Sequence, residues 1–170
     1  MRIFTAALFP VKVLGLVHLR NTIRQQRPIP VGEQLQVTAS FDTCRETDSG
    51  QEFDIVTRVS VQGAVVWEEV SAMLARRHTP GKRPTIDRLP ADAEAEEHRR
   101  PFSVTADTGR RYAWVSGDFN PIHLMDFTAT RFGFKQTVAH GMWALARTLG
   151  EVADVLPQGP MQIDTQFKLP

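Results

Sequence analysis

Residues 137–154 read TVAHGMWALARTLGEVAD. Val138, Met142, Leu145, Leu149 and Val152 recur at spacings of four and three, the period of a helix. Ala139, Trp143, Ala144 and Ala146 make the other faces apolar too, leaving Arg147 and Glu151 as the charged interior positions. A helix that is apolar all round is expected to be nearly enclosed by protein. The fold must therefore supply a cover.

Upstream, the cover reads as strands. In residues 34–42, Leu35, Val37, Ala39 and Phe41 alternate with Gln36, Thr38 and Ser40, the period of a half-buried strand. Phe53, Ile55, Val59 and Val61 then share one face, with Asp54, Arg58, Ser60 and Gln62 on the other. The intervening Thr47, Asp48, Ser49 and Gly50 suit a tight turn, so the pair predicts a hairpin. Gly63 permits a second reversal into a β-rich run over 64–75, and 13–24 reads as a further strand. Four antiparallel strands are expected in this half. A short β-like piece is expected around 102–105. Downstream, Pro157-Gln158-Gly159-Pro160 breaks the helix, and Met161, Ile163, Phe167 and Leu169 alternate with Gln162, Asp164, Gln166 and Lys168 as one more strand. The expected class is α+β, an antiparallel sheet wrapped around one buried central helix.

Composition narrows the function. The chain has 170 residues, 42% of them hydrophobic, enough for a core. Its 20 Lys+Arg against 19 Asp+Glu give a formal charge of +1, and the basic residues are dispersed, which argues against nucleic acid as a partner. The single Cys44 cannot make an internal disulfide and fits a reducing compartment. Residues 3–11 are apolar after Arg2, but Pro10 and Lys12 spoil a secretion signal, and no charge-free apolar run approaches the ~20 residues of a membrane span. A soluble, cytoplasmic protein is expected.

The chemistry concentrates in residues 112–123, YAWVSGDFNPIH. Asp118 and His123 lie five residues apart on a segment where Gly117 and Pro121 set turn-like backbone and Asn120 can bond that backbone locally. Such a loop can point a carboxylate and an imidazole into one space. A water held between them is activated by proton transfer, provided the heavy atoms approach within ~3 Å. Taken alone, an Asp and a His on a loop are more often cap and surface groups than a catalytic pair.

The whole string from Ser116 to His123 resembles the hydratase 2 motif of the MaoC-like, R-specific enoyl-CoA hydratases and 3-hydroxyacyl dehydratases, which have the hot-dog fold. The resemblance continues in Ala139-His140-Gly141-Met142, similar to the start of that family's central helix, and covers roughly residues 100–170. It implies reversible hydration of a trans-2-enoyl thioester to the R-3-hydroxyacyl product, with Asp118 and His123 as the acid/base pair acting on one water. It also implies that the backbone N–H of Gly141 receives the developing thioester oxyanion, at a helix end where free amides and the positive dipole coincide. Ser116, Gly117, Asn120 and Pro121 are read as loop support. Met142 and Trp143 are read as core or acyl-pocket wall. His140 is a cap or packing residue at the helix start and a candidate pocket residue. No cofactor is implied beyond the substrate itself, an acyl-CoA or acyl-carrier thioester, and the expected assembly is a homo-oligomer.

Other chemistries on these residues find less support. Gly-x-Ser-x-Gly is absent, which leaves Ser116 without the setting of a Ser-His-Asp nucleophile. Asp118, His123 and His140 make up a two-histidine, one-carboxylate set in composition, but no outer partners that would orient the histidines are legible, and no metal is expected. Cys44, His18, His78 and His98 have no motif around them. Two further readings of the same fold stay open: a non-catalytic acyl-CoA-binding or partner subunit, and a thioesterase.

One departure from the family concerns strand count. A complete hot dog has several strands after its helix, and here only 161–169 follows. The expected organisation is a strand-rich half of a motif-free repeat over 1–77, a linker over 78–100 rich in Pro, Ala and mixed charge, and the front half of a catalytic repeat over 101–170. The pattern is that of the centre of a tandem double hot dog. A fragment, one permuted hot dog, or strands exchanged between chains would each account for it.

Overall fold

The computed structural model describes residues 16–76 and 101–167. The 78–100 linker, the apolar fragment at 3–9, and His78, His98 and Leu169 lie outside the described residues. The described chain forms two units, one built from 16–76 with 155–167, the other from 101–154.

The first unit is an antiparallel sheet. β1 (Leu16–Gln25), β2 (Gln36–Thr47), β3 (Gly50–Val61), β4 (Ala64–Arg76) and β5 (Met161–Gln166) are ordered β2-β3-β4-β1-β5. Alternation of apolar and polar residues produces these strands, and the expected reversals fall at Thr47 to Gly50 and at Gln62-Gly63, both of which adopt positive φ. The last strand joins on the open side of β1, with Ile23 opposite Ile163 and Arg20 opposite Gln166. Segments from both ends of the sequence thus complete one sheet.

Leu16, Phe53 and Ile55 form the core cluster, with Met73 and Ala75 packed on it. Cross-strand ion pairs mark the opposite, wetter side: Arg20 and Arg45 on Glu52, Arg24 and Arg58 on Glu68. One expectation fails here. The strand expected to be half-buried, β2, is exposed on both faces apart from a partly covered Thr47, with Val37 61% exposed. It is an edge strand with β3 on one side only, so alternation in its sequence is not matched by cover on both flanks.

The second unit holds α1 (Thr108–Ser116), a single 3₁₀ turn at Pro121–His123, α2 (Asp126–Arg131) and α3 (Gly141–Glu151). The piece around 102–105 is not a strand. Pro101 opens it, and Thr105 Oγ instead bonds Asp107 Oδ1 at 2.5 Å ahead of α1.

The helix expected over 137–154 is shorter at both ends. Residues 137 and 138 lie outside the helix: Thr137 N–H donates to Asp126 Oδ1 and Val138 N–H donates to the Ile122 carbonyl. At the far end Val152 N–H closes on Leu149 C=O with non-helical backbone. Nor is α3 enclosed. Leu145 is its one buried residue, and Ala146, Arg147, Thr148 and Gly150 face solvent. Alanine made those faces apolar in composition, but a methyl group demands little burial. Arg147 and Glu151 pair one turn apart, with the guanidinium over the Phe102 ring.

Candidate active site

Ser116 ends α1, and its hydroxyl donates to the Tyr112 carbonyl at 2.9 Å while accepting the Asp118 N–H at 3.2 Å. Gly117 terminates the helix in left-handed backbone (φ 74°), a conformation that glycine adopts without a Cβ penalty, and its N–H closes on Ala113 C=O. The chain therefore turns sharply at Asp118. The Asp118 carboxylate accepts the Asn120 N–H at 3.1 Å, an Asx turn. Pro121 then starts the 3₁₀ turn, in which His123 N–H bonds Asn120 C=O at 3.0 Å. Thr128 of α2 fastens the same turn from behind by donating to Pro121 C=O at 2.6 Å.

His123 thereby meets the residues just ahead of α3. Its Nδ1 lies 2.7 Å from the Val138 carbonyl. A carbonyl only accepts, so Nδ1 carries the hydrogen, and in the neutral ring Nε2 keeps its lone pair. Burial pushes the imidazole below its ordinary value; the Val138 bond and the Asp118 charge oppose that shift, while His140 adds to it. The result is a neutral imidazole at neutral pH with one basic nitrogen unspent.

His140 is buried immediately before α3. Its Nε2 lies 3.0 Å from the Asp118 carbonyl oxygen and 3.7 Å from Asp118 Oδ2. Its ring stacks on His123, centroids 3.7 Å apart and planes 26° apart, with Tyr112 on it at 4.9 Å. It sits at the helix-start position, and its side chain makes no capping hydrogen bond to the helix. One ligand-type atom from each of Asp118, His123 and His140 lies within 4.8 Å of the others.

Gly141 opens α3, where the first amides have no partner within the helix. Met142 and Trp143 are half-buried, and the Trp143 ring meets Phe102 edge-on at 6.4 Å. The sequence reading missed the supports around this group. Gly109 packs α1 against the backbone of His123, and Asp126 and Val138 hold the residues ahead of α3. A glycine early in an otherwise helical run was the available signal for the first.

The protein is a member of the MaoC-like dehydratases of hot-dog fold. The MaoC like domain matches residues 90–168. The chain is 34% identical over 166 residues to 3-hydroxyacyl-thioester dehydratase X of Mycobacterium tuberculosis, covering 92% of this chain and 56% of that protein. A crystal structure of HtdX from the same organism superposes with a TM-score of 0.81 at 32% identity, over 100% of this chain and 67% of that one. A MaoC-like dehydratase at 16% identity matches in fold with a TM-score of 0.76, over 99% of this chain and 64% of that one. The chain thus spans a little over half the length of the curated relative and about two thirds of the solved ones. Among the described residues, no helix is long and apolar enough to cross a membrane.

Proposed function

We propose that this chain catalyses reversible hydration of trans-2-enoyl thioesters to R-3-hydroxyacyl thioesters, the reaction class named for its 3-hydroxyacyl-thioester dehydratase relative. The observation that carries the reading is the convergence of Asp118 and a neutral His123, whose Nδ1–H is spent on Val138, within one 4.8 Å cluster. His123 Nε2 takes a proton from water as the water oxygen bonds to C3. The C2–H bond forms with the proton that His123 took from the water, relayed by way of the Asp118 carboxylate, so that both groups end in the protonation states in which they began. The C2=C3 double bond is the bond consumed, and one water is added in total. Charge that gathers on the thioester oxygen is received by the Gly141 N–H; one donor of this kind typically contributes about 10²- to 10³-fold in rate. Met142 and Trp143 line the acyl group. The reaction so written draws on water and the thioester alone.

We further assign a cytoplasmic setting, in keeping with the lone Cys44, and a homo-oligomeric assembly. The two edge strands β2 and β5 favour the latter, since exposed edges invite pairing. The test is loss of crotonyl-CoA absorbance with the purified chain. Turnover that disappears in both Asp118→Asn and His123→Ala supports the reading, and unchanged turnover in those variants removes it. Thiol release from a saturated acyl-CoA would assign a thioesterase instead, and thermal stabilisation by acyl-CoA without turnover would assign a binding subunit.

A further inference from the structure

The His140 side chain touches both members of the acid/base pair. Its Nε2 reaches the backbone of Asp118 at 3.0 Å, and its ring lies flat on His123 at 3.7 Å. Only 3% of it is exposed, and Tyr112 backs it at 4.9 Å. A buried ring held on two sides has little freedom to turn, so its Nε2–H fixes where the carbonyl of Asp118, and with it the carboxylate, sits relative to the base. Its Nδ1 is buried and has no hydrogen-bond partner among the described residues. Nε2 is therefore the nitrogen that carries the hydrogen, because the Asp118 carbonyl can only accept.

We propose that His140 is a positioning residue for the hydration reaction: one imidazole sets the separation of carboxylate and base, by a hydrogen bond to the loop of Asp118 and by stacking on His123. This rests on the hydratase reading for its consequence in rate, but not for its geometry. The groups that face His123 are His140 from the start of α3, Asp118 from the loop after α1, and the Val138 carbonyl. Positional slack of ~1 Å in a reacting pair costs about 10²-fold.

Two variants separate the two contacts. His140→Phe keeps a ring to stack and loses the donor; His140→Gln offers a donor and loses the ring. In the wild-type chain without substrate, nitrogen-15 NMR is expected to find His140 as the Nε2–H tautomer and His123 as the Nδ1–H tautomer. In both variants the titration midpoint of His123 is expected to move upward, because the neighbouring imidazole no longer opposes its protonation. With crotonyl-CoA, His140→Phe is expected to lower kcat on the order of 10- to 100-fold with KM within about twofold, and His140→Gln to recover part of the loss. An Nδ1–H tautomer at His140, a His123 midpoint unmoved in both variants, or a loss that only follows thermal stability would overturn the proposal. Should the wild-type chain turn over no enoyl thioester, the hydratase reading fails, and the tautomers and midpoint still decide whether His140 sets the pair.

Discussion

Gly109 lies so close to His123 that a β-carbon built on it would stand 2.2 Å from the His123 carbonyl oxygen. Helix α1 can approach the 3₁₀ turn only because position 109 has no side chain. The obstructing atom is backbone, so a larger residue cannot be accommodated by a rotamer change. Either the helix or the turn that carries the base must move.

Gly109→Ala is therefore expected to cost about 1–3 kcal/mol in stability, the usual range for overpacking. Alanine would otherwise favour the helix, so the sign of the change is itself diagnostic. Because the displaced atom belongs to His123, kcat should also fall, by about 10²-fold if the shift nears 1 Å. Thermal melts and crotonyl-CoA kinetics on the same preparation check both parts. A more stable, fully active variant would mean that α1 and the turn are not in contact in solution.

Asp118 does two things that substitution can separate. Its carboxylate accepts the Asn120 N–H and so shapes the loop, and it stands beside the two imidazoles. Asparagine retains an oxygen for the first task and lacks the charge and proton chemistry of the second. Asp118→Asn should keep the wild-type melting temperature to within a degree or two and lose about 10²- to 10⁴-fold in activity. Asp118→Ala should lose activity to a similar degree and stability as well, by about 0.5–1.5 kcal/mol for the broken bond. Equal stability of the two variants would show that the Asx turn does not hold the loop.

The parts of this molecule that were legible in its sequence are those where a local rule and the tertiary structure agree. Alternation at Phe53 and Ile55 placed β3, and Gly63 placed the next reversal, because strand period and turn chemistry act over a few residues. The segment from Ser116 to His123 could be singled out because its glycine, proline and asparagine each constrain backbone. The start of α3 was misread for the opposite reason. Thr137 and Val138 carry a helical pattern, yet their amides are taken by Asp126 and Ile122, partners 11 and 16 residues away, and these bonds override propensity. Helix α1 escaped notice because its exposed face carries Trp114 and Val115, 80% and 84% exposed, which break amphipathic spacing. The stacking of His140 on His123 joins residues 17 apart and has no signature in either neighbourhood.

The pH response follows from His123. Burial holds its imidazole below the ordinary value of 6.5, so at neutral pH the ring is neutral and able to accept a proton. As pH falls through the depressed value the base is lost, and kcat/KM in the hydration direction should fall with a single acid limb whose midpoint lies below 6.5. Stability follows the same sign. The unfolded chain binds this proton more readily than the folded one, so stability declines as pH drops from about 6.5 toward the folded midpoint. In His123→Ala this part of the decline should be absent. An acid limb above 6.5 would show that the ring is exposed in solution.

Asp126 offers a test remote from the reacting atoms. At the first position of α2 its Oδ1 accepts the Thr137 N–H at 2.8 Å, tying the residues ahead of α3 to a neighbouring helix. The Thr137 backbone bond, followed by its side-chain bond, holds this carboxyl below the ordinary 3.8, with Arg110 contributing in the same direction. A depressed folded value means that the bond stabilises the protein above the unfolded pKa and is lost as pH falls through the folded one. Asp126→Ala should therefore melt at lower temperature than wild type at pH 7, and the gap should narrow below about pH 4. Asp126→Asn keeps the acceptor without the charge and should fall between them. Since Val138, beside Thr137, accepts the His123 Nδ1–H, the alanine variant should also lose activity through the base. A melting gap that persists unchanged at pH 3 would show that the Thr137 tie does not depend on the ionised carboxylate.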